Sequence, residues 1–390
     1  MMVYRRDRPG RTSSDARLVD LGHTPTSALH PAVVGAFGPF ARLPAQRSYP
    51  TPLSVQILLS VYLTLITHMG KLLPKRKRAM AHQAPGKYCR EGLSWPQLFE
   101  MFPDNETAEQ WFLDARWPDG VHCPDCDSDN IQERPTRKPQ RFRCRACRKD
   151  FSTKTGSLMQ GSRLPYRTWA LAIYIFNTGI KGTSSMKLHR DLNVTQKTAW
   201  HLAHRIRESW EDDHDPFDGE VEADETFVGG KEGNKHSHKK LRNGRGGVGK
   251  AIVAGVKERE TGKVSAAVVE GQNAETLVPF VTDRTDVEAM VYTDEHGGYR
   301  KLPRRHQAVT HSDGQYVDGD AHTQGIESFW SMFKRGYVGT YHQMSHKHLD
   351  RYVGEFVGRH NQRPLDTIEQ MKGTARGLIG KRLQYQELVS

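Results

Sequence analysis

Four of the five cysteines fall into two C-x2-C pairs, Cys123 and Cys126 in CPDC and Cys144 and Cys147 in CRAC, with 17 residues between the pairs. Each pair forms a knuckle that offers two thiolates to one metal, and the intervening segment has the length of a β-hairpin. Four thiolates so spaced make a closed tetrahedral Zn²⁺ site with no open position for chemistry. Five cysteines are too few and too patterned for a secreted disulfide framework, and Cys89 stands alone. A reducing cytoplasm with structural zinc is therefore expected. The hairpin segment is basic (Arg134, Arg137, Lys138, Arg141, Arg143), and Arg145, Arg148 and Lys149 follow. Such a ribbon can touch DNA phosphates or only prop up neighbouring helices.

The 390 residues are enough for two or three domains with their own cores. The net charge of +12 points to a polyanionic partner, but it is unevenly spread. Residues 1–79 hold 12 Lys and Arg against three Asp, so the rest of the chain is nearly balanced and any nucleic-acid surface on it must be local. Residues 1–79 are rich in Arg, Pro, Ser and Ala and are expected to be a non-native or disordered upstream extension, with Met80 opening the functional protein. Within them Leu53–Met69 is a 17-residue apolar run diluted by Ser, Gln and Thr, at the short edge of a membrane span. No membrane segment is expected. The KRKR that follows reads as a solvated basic linker.

Residues 80–120 read as a helical lead-in. Leu93, Leu98, Phe99 and Phe102 supply one apolar face; Ala108, Trp111, Phe112 and Trp117 supply another, with Asp104 or Asn105 as a cap. The zinc ribbon is assigned to residues 121–160. In residues 161–212 a buried-looking helix, PYRTWALAIYIFNT, closes at Gly179, and two short helices follow around Leu192–Asn193–Val194 with Thr195 as the second cap. That pair matches a helix-turn-helix, or equally an ordinary helical hairpin. As a helix-turn-helix it would offer DNA Gln196, Lys197, Thr198, His201 and Arg205.

From residue 217 the texture becomes α/β. EVEADETFV reads as a strand, AIVAGVKERETGKVSAAVVEG as a hairpin turning at Thr261–Gly262, Ala274–Thr285 as a helix, VEAMVYTDE and AVTHSD as strands, and Thr323–Arg335 as a helix. The expected order is three strands, helix, strand, helix, strand, helix. That is the order of a ribonuclease-H-like α/β core, a mixed sheet with helices, spanning 217–365, with 366–390 as a tail. Asp224 and Asp294 lie on strands of that core. Glu327 lies on the last helix, and Lys334, seven residues on, shares its face after two turns. Two strand carboxylates and one helix carboxylate make a hard oxygen site for Mg²⁺ or Mn²⁺, able to align a nucleophile on a phosphodiester.

Several neighbours are set aside. Glu225 and Glu295 follow the two aspartates directly and so face the other way in extended chain, whereas Glu222 shares the face of Asp224 and stays a minor candidate. His296, His311 and His322 suit hydrogen bonding or packing better than Mg²⁺. Phe329, Trp330 and Phe333 read as core. GRGGVGKA imitates a phosphate loop, but Ala251 stands where the Mg²⁺-holding hydroxyl belongs and a strand follows, so no nucleotide cofactor is expected.

Taken together, WPDGVHCPDC, CRACRKDFSTKTGS, ADETFVGGK, YTDEHGGY and HTQGIESFWSMFKRGYVGTYHQMSHKHLDRYVGEFVGRHN resemble the DDE transposases of small bacterial insertion sequences that carry an N-terminal zinc ribbon, the ISXO-like group. The likeness runs from about Met80 to about Leu365. It implies Asp224, Asp294 and Glu327 as the acid triad and Lys334 as the downstream lysine that holds DNA. Family members often carry Asn where this chain has Gln324, and in some branches that Asn is the third metal-site residue; the spacing to Lys334 favours Glu327. The resemblance further implies metal-dependent cleavage and strand transfer at terminal inverted repeats. It implies a target duplex as second substrate, and a homo-oligomer that synapses two ends. A DNA-binding regulator derived from a transposase, or a nuclease without joining activity, are the alternatives.

Overall fold

The computed structural model describes residues 90–390 apart from 211–214, 231–232, 234, 242–246 and 310–322. The expectations for residues 1–79, Cys89, His311 and His322 lie outside the described residues.

Two short helices open the described chain. α1 (Trp95–Met101) starts at Ser94, whose side chain takes the Gln97 amide while Gln97 answers in a capping box. α2 (Asn105–Arg116) is capped by Asp104. The ribbon follows, with β1 (Ile131–Glu133), β2 (Phe142–Cys144) and β3 (Asp150–Phe151) in one antiparallel sheet. Phe142 and Phe151 stack at 5.5 Å over Trp117, so the hairpin has a small aromatic core of its own.

α3 (Tyr166–Thr178) has nine of its 13 residues buried, which makes it the central helix of a helical body rather than a surface one. α4 (Ser185–Leu192) and α5 (Gln196–Glu208) form a tight pair: Asn193 turns the chain through the left-handed region at φ 50°, and Thr195 caps α5 through the Thr198 amide.

The carboxyl terminus corrects an expectation. Residues 366–390 are no tail but form α9 (Thr367–Gly377) and α10 (Tyr385–Val389). Met371, Ala375 and Leu378 fall on one helical face and are buried with Leu383 and Leu388 in the same core as α1–α5. Asn177 and Thr374 bond each other inside it. Both ends of the described chain thus build one body, which a segment-by-segment reading divides.

The second layer is a mixed five-stranded sheet flanked by helices. Its strands are β4 (Glu220–Val228), β5 (Ala251–Glu258), β6 (Val264–Val269), β7 (Met290–Asp294) and β8 (Arg305–Val309), in the order β6-β5-β4-β7-β8. β4, β5 and β6 are antiparallel, while β7 and β8 run parallel to β4. α6 (Ala274–Thr282) covers one face, packing Leu277, Phe280 and Val281 on Val221, Ala223 and Val291. α7 (Gln324–Gly336) and α8 (Leu349–Asn361) cover the other with Ile326, Phe329, Trp330, Phe333, Val353 and Phe356. Each such buried side chain contributes about 1.5–3 kcal/mol. The helix expected between the last two strands is only a 3-10 turn, Gly297–Tyr299. Two adjacent glycines and Pro303 within that short link leave no run of helix formers. Among the described residues no helix is long and apolar enough to cross a membrane.

Candidate active site and zinc ribbon

Strand alternation decides which acids meet. Along β4, Val221 and Ala223 face α6, so Glu222 and Asp224 face α7. Asp224 pairs across β5 with Gly255, where an added Cβ would stand 2.7 Å from the Trp330 ring. A glycine there lets α7 ride low over the sheet beside Asp224. On the other side β4 pairs with β7 through Glu222↔Tyr292. Carrying that register two residues on sets Asp294 beside Asp224, where the ladder has ended and the strands part.

The Asp294 carboxylate accepts the His296 amide at 3.0 Å. Thr293, buried behind it, bonds the Asp294 carbonyl at 2.7 Å and His306 Nε2 at 2.8 Å, which holds the strand end. Glu327 sits in the first turn of α7, where Thr323 donates to its Oε1 at 3.1 Å. Asp224, Glu327, Trp330, Ser331, Lys334 and Arg335 line one open cleft of about 660 Å³. Burial pushes the Asp224 carboxyl up to about 7, and the negative charges of Glu225, Asp294 and Glu327 push the same way. The carboxylates are therefore close enough to feel one another. Among the described residues only the four thiols are drawn together within 4.8 Å; the acids face each other across a wider gap.

The set-aside residues have other partners. Glu225 turns to the far face, where it accepts Gln272 Nε2 at 2.9 Å and the Tyr299 hydroxyl at 2.7 Å. Glu295 is exposed, and His296 Nδ1 caps the Gly298 amide. Gln324 is exposed and does not line the cleft that Glu327 lines. Glu222, the minor candidate for the acid site, is buried and accepts the Ile326 amide instead.

In the ribbon, Cys123 and Cys147 Sγ lie 3.6 Å apart, as do Cys126 and Cys144 Sγ. Tetrahedral zinc with Zn–S of about 2.3 Å sets its sulfurs about 3.8 Å apart, so the four thiols fit it. The Cys147 amide donates to Cys144 Sγ at 3.4 Å and pulls that thiol down to about 7, while the neighbouring Cys126 and Cys147 thiols are pushed up. Many of the basic hairpin residues are engaged by acids: Arg134, Arg137 and Arg143 by Asp150, Arg141 by Glu133, Lys138 by Glu106 and Lys149 by Asp125.

On α5, the five residues expected to read DNA divide. Gln196 and Lys197 are exposed, Gln196 leaning on Ser185 Oγ at 3.1 Å and Lys197 lying 4.2 Å over the Tyr385 ring, and Thr198 joins the Thr195 cap. His201 Nε2 and Arg205 Nε both donate to the Leu383 carbonyl at 3.2 Å. The C-terminal segment thus lies against the second half of the expected reading face, an arrangement with no local signal in the sequence.

Two domain families recognise this architecture. Residues 216–361 match the ISXO2-like transposase domain, and residues 103–150 match the transposase zinc-ribbon domain. Both matches cover segments whose motifs carry the resemblance. It is 27% identical, over 66% of its length and 91% of the relative's, to an uncharacterized protein in transposable element ISH50 of Halobacterium salinarum. It is also 25% identical, over 30% of its length and 97% of the relative's, to an uncharacterized transposase-like protein of Haemophilus influenzae.

Proposed function

We propose that this protein is a transposase that cuts DNA at the terminal inverted repeats of an insertion sequence and joins the freed ends to a target duplex. The observation that carries the reading is an open cleft lined by Asp224 on β4, Glu327 on α7 and Lys334, with Asp294 on β7 near enough for its charge to act on Asp224. The strand order supports a ribonuclease-H-like core, the matched domains imply DNA as partner, and the relatives' names agree. The cytoplasm, where its substrate lies, is the working compartment, and synapsis of two ends calls for at least two copies.

Mg²⁺ or Mn²⁺ held by Asp224, Asp294 and Glu327 would supply charge neutralisation and a nucleophile at neutral pH. The chain's own contribution is alignment. The acids stand in the middle of β4, at the end of β7 and in the first turn of α7, and phosphoryl transfer asks a protein chiefly for position and charge. Lys334, exposed on the rim, meets a phosphate of the bound strand. α4 and α5 act as a helix-turn-helix with Gln196, Lys197 and Thr198 toward the DNA, His201 and Arg205 being shared with the C-terminal segment. The ribbon, with zinc on its four cysteines, is a closed module that contributes shape and backbone contacts.

The test is an in vitro reaction on duplexes carrying the inverted repeats that flank the gene. Wild-type protein should nick and join in Mg²⁺ or Mn²⁺, whereas Asp224→Asn and Asp294→Asn should bind the ends and do neither. Near-normal joining by either variant would sink the assignment; cutting without joining would mark a nuclease, and binding alone a regulator.

A further inference from the structure

The first turn of α7 is tied to the sheet by a buried ionic clamp. Glu222, 1% exposed, precedes Asp224 by two residues on the same face of β4. Its Oε2 accepts the Ile326 amide at 2.9 Å, and its Oε1 accepts Arg259 Nε at 3.2 Å. Lys257 Nζ donates to the Gly325 carbonyl at 3.0 Å. The Arg259 guanidinium lies 3.9 Å from the ring of Tyr292, two residues before Asp294. The clamp therefore touches β4, β7 and α7, the three elements that carry the acids. Gly325 makes room for it: a Cβ there would stand 2.7 Å from Glu222 Oε2 and 2.9 Å from Lys257 Nζ.

Apolar packing cannot do the same work. Ile326, Phe329, Trp330 and Phe333 hold α7 down, but hydrophobic contact is non-directional and tolerates a small slide or roll of the helix. Hydrogen bonds to the Gly325 carbonyl and the Ile326 amide pin both the height and the rotation of the first turn. A carboxylate is also the favoured charge at a helix N-terminus, whose first amides have no partner in the helix. Glu327 follows Ile326 directly.

We propose that Glu222, with Lys257 and Arg259, is a positioning group that sets Glu327 against Asp224 and Asp294 and thereby sets the divalent-cation affinity of the cleft. This rests on the metal-site reading above. Groups that orient metal ligands cost about 10–100-fold in affinity or activity when changed, and a comparable effect is expected here.

The experiment uses the full chain with its ribbon loaded with zinc, and Mn²⁺ as the probe. Free Mn²⁺ is followed by electron paramagnetic resonance without DNA, alongside the Mn²⁺ midpoint for nicking of end duplexes. Glu222→Gln and, independently, Gly325→Ala should raise both midpoints about tenfold or more, with nicking partly rescued at high Mn²⁺. A merely structural role would lower the amount of active protein and leave the midpoints in place, and unmoved midpoints in both variants overturn the clamp. Asp224→Asn separates the two readings. If it binds Mn²⁺ and nicks like wild type, the metal site itself is wrong and the clamp falls with it. If it is inactive while the clamp variants keep wild-type midpoints, the clamp alone is wrong.

Discussion

Removing the Glu355 carboxylate should destabilise the fold more than any other single change at a polar residue named here. Glu355 on α8 is fully buried and accepts Arg207 Nε at 2.7 Å, the Tyr341 hydroxyl at 2.8 Å and Arg359 at 3.3 Å. Glu355→Ala would leave the Arg207 guanidinium, 2% exposed, with the Thr183 carbonyl at 3.5 Å as its remaining hydrogen-bond acceptor and the Tyr352 ring 4.2 Å away. Stranding a buried charge in this way costs about 3–5 kcal/mol, and the Tyr341 hydroxyl loses an acceptor worth about 1 kcal/mol. Together that is a large part of the 5–15 kcal/mol, roughly, that holds a typical protein folded. Urea unfolding of the zinc-loaded protein, followed by tryptophan fluorescence, should show the midpoint falling at an unchanged slope. The double variant Arg207→Met with Glu355→Leu should recover part of the loss, because it removes the fully buried pair together and leaves Arg359 with the Gly179 carbonyl in place of its acid. A loss below about 1 kcal/mol for Glu355→Ala would refute the argument that this carboxylate neutralises Arg207.

Three further outcomes are expected. Metal analysis should find one zinc per chain, and Cys144→Ser should lose it together with the order of the ribbon, since binding and folding are coupled; a folded, active protein without zinc would contradict this. Glu327→Gln should abolish strand transfer while Gln324→Ala lowers it only in part, because a carboxylate is the harder ligand and Glu327, unlike Gln324, lines the cleft; the reverse result would reassign the third residue. His204, buried beside Trp200 and His348, is pushed down to about 2 by burial and then by the Arg207 charge. The unfolded chain binds a proton there below its ordinary pKa of about 6.5 while the native state does not, so stability is full above that pH and falls below it. Unfolding free energy should drop by about 1.4 kcal/mol between about pH 7.5 and 5.5 on this account, and His204→Leu should remove that share; an unchanged pH slope in the variant would count against it.

The readings that held were those whose cause is local. Two knuckles at metal-ligand spacing bring four thiols together because chain connectivity leaves little else for the hairpin between them to do. Asp104, Thr195 and Asn193 stop or start helices through bonds to residues within three or five positions, so short windows sufficed. Period-two alternation likewise put Asp224 and Glu225 on opposite faces before any fold was known.

What escaped the sequence is what depends on partners far along the chain. The bonds of Glu222 to Ile326 and of Arg207 to Glu355 join residues more than a hundred positions apart, and nothing local distinguishes those acids from solvated ones. Gly255 is a weak strand residue until Trp330 lies over it. Residues 366–390 read as a tail until α3 offers the groove that buries Met371 and Leu378, and only that docking carries Leu383 to His201 and Arg205. The sequence by itself determined the zinc knuckles, the helix ends and the faces of the strands, because short-range geometry governs them. The nearness of Asp294 and Glu327 to Asp224, the bonds from Glu222 and Lys257 to the first turn of α7 and the cover over α5 were decided by tertiary packing, because burial and charge compensation exist only once distant segments have come together.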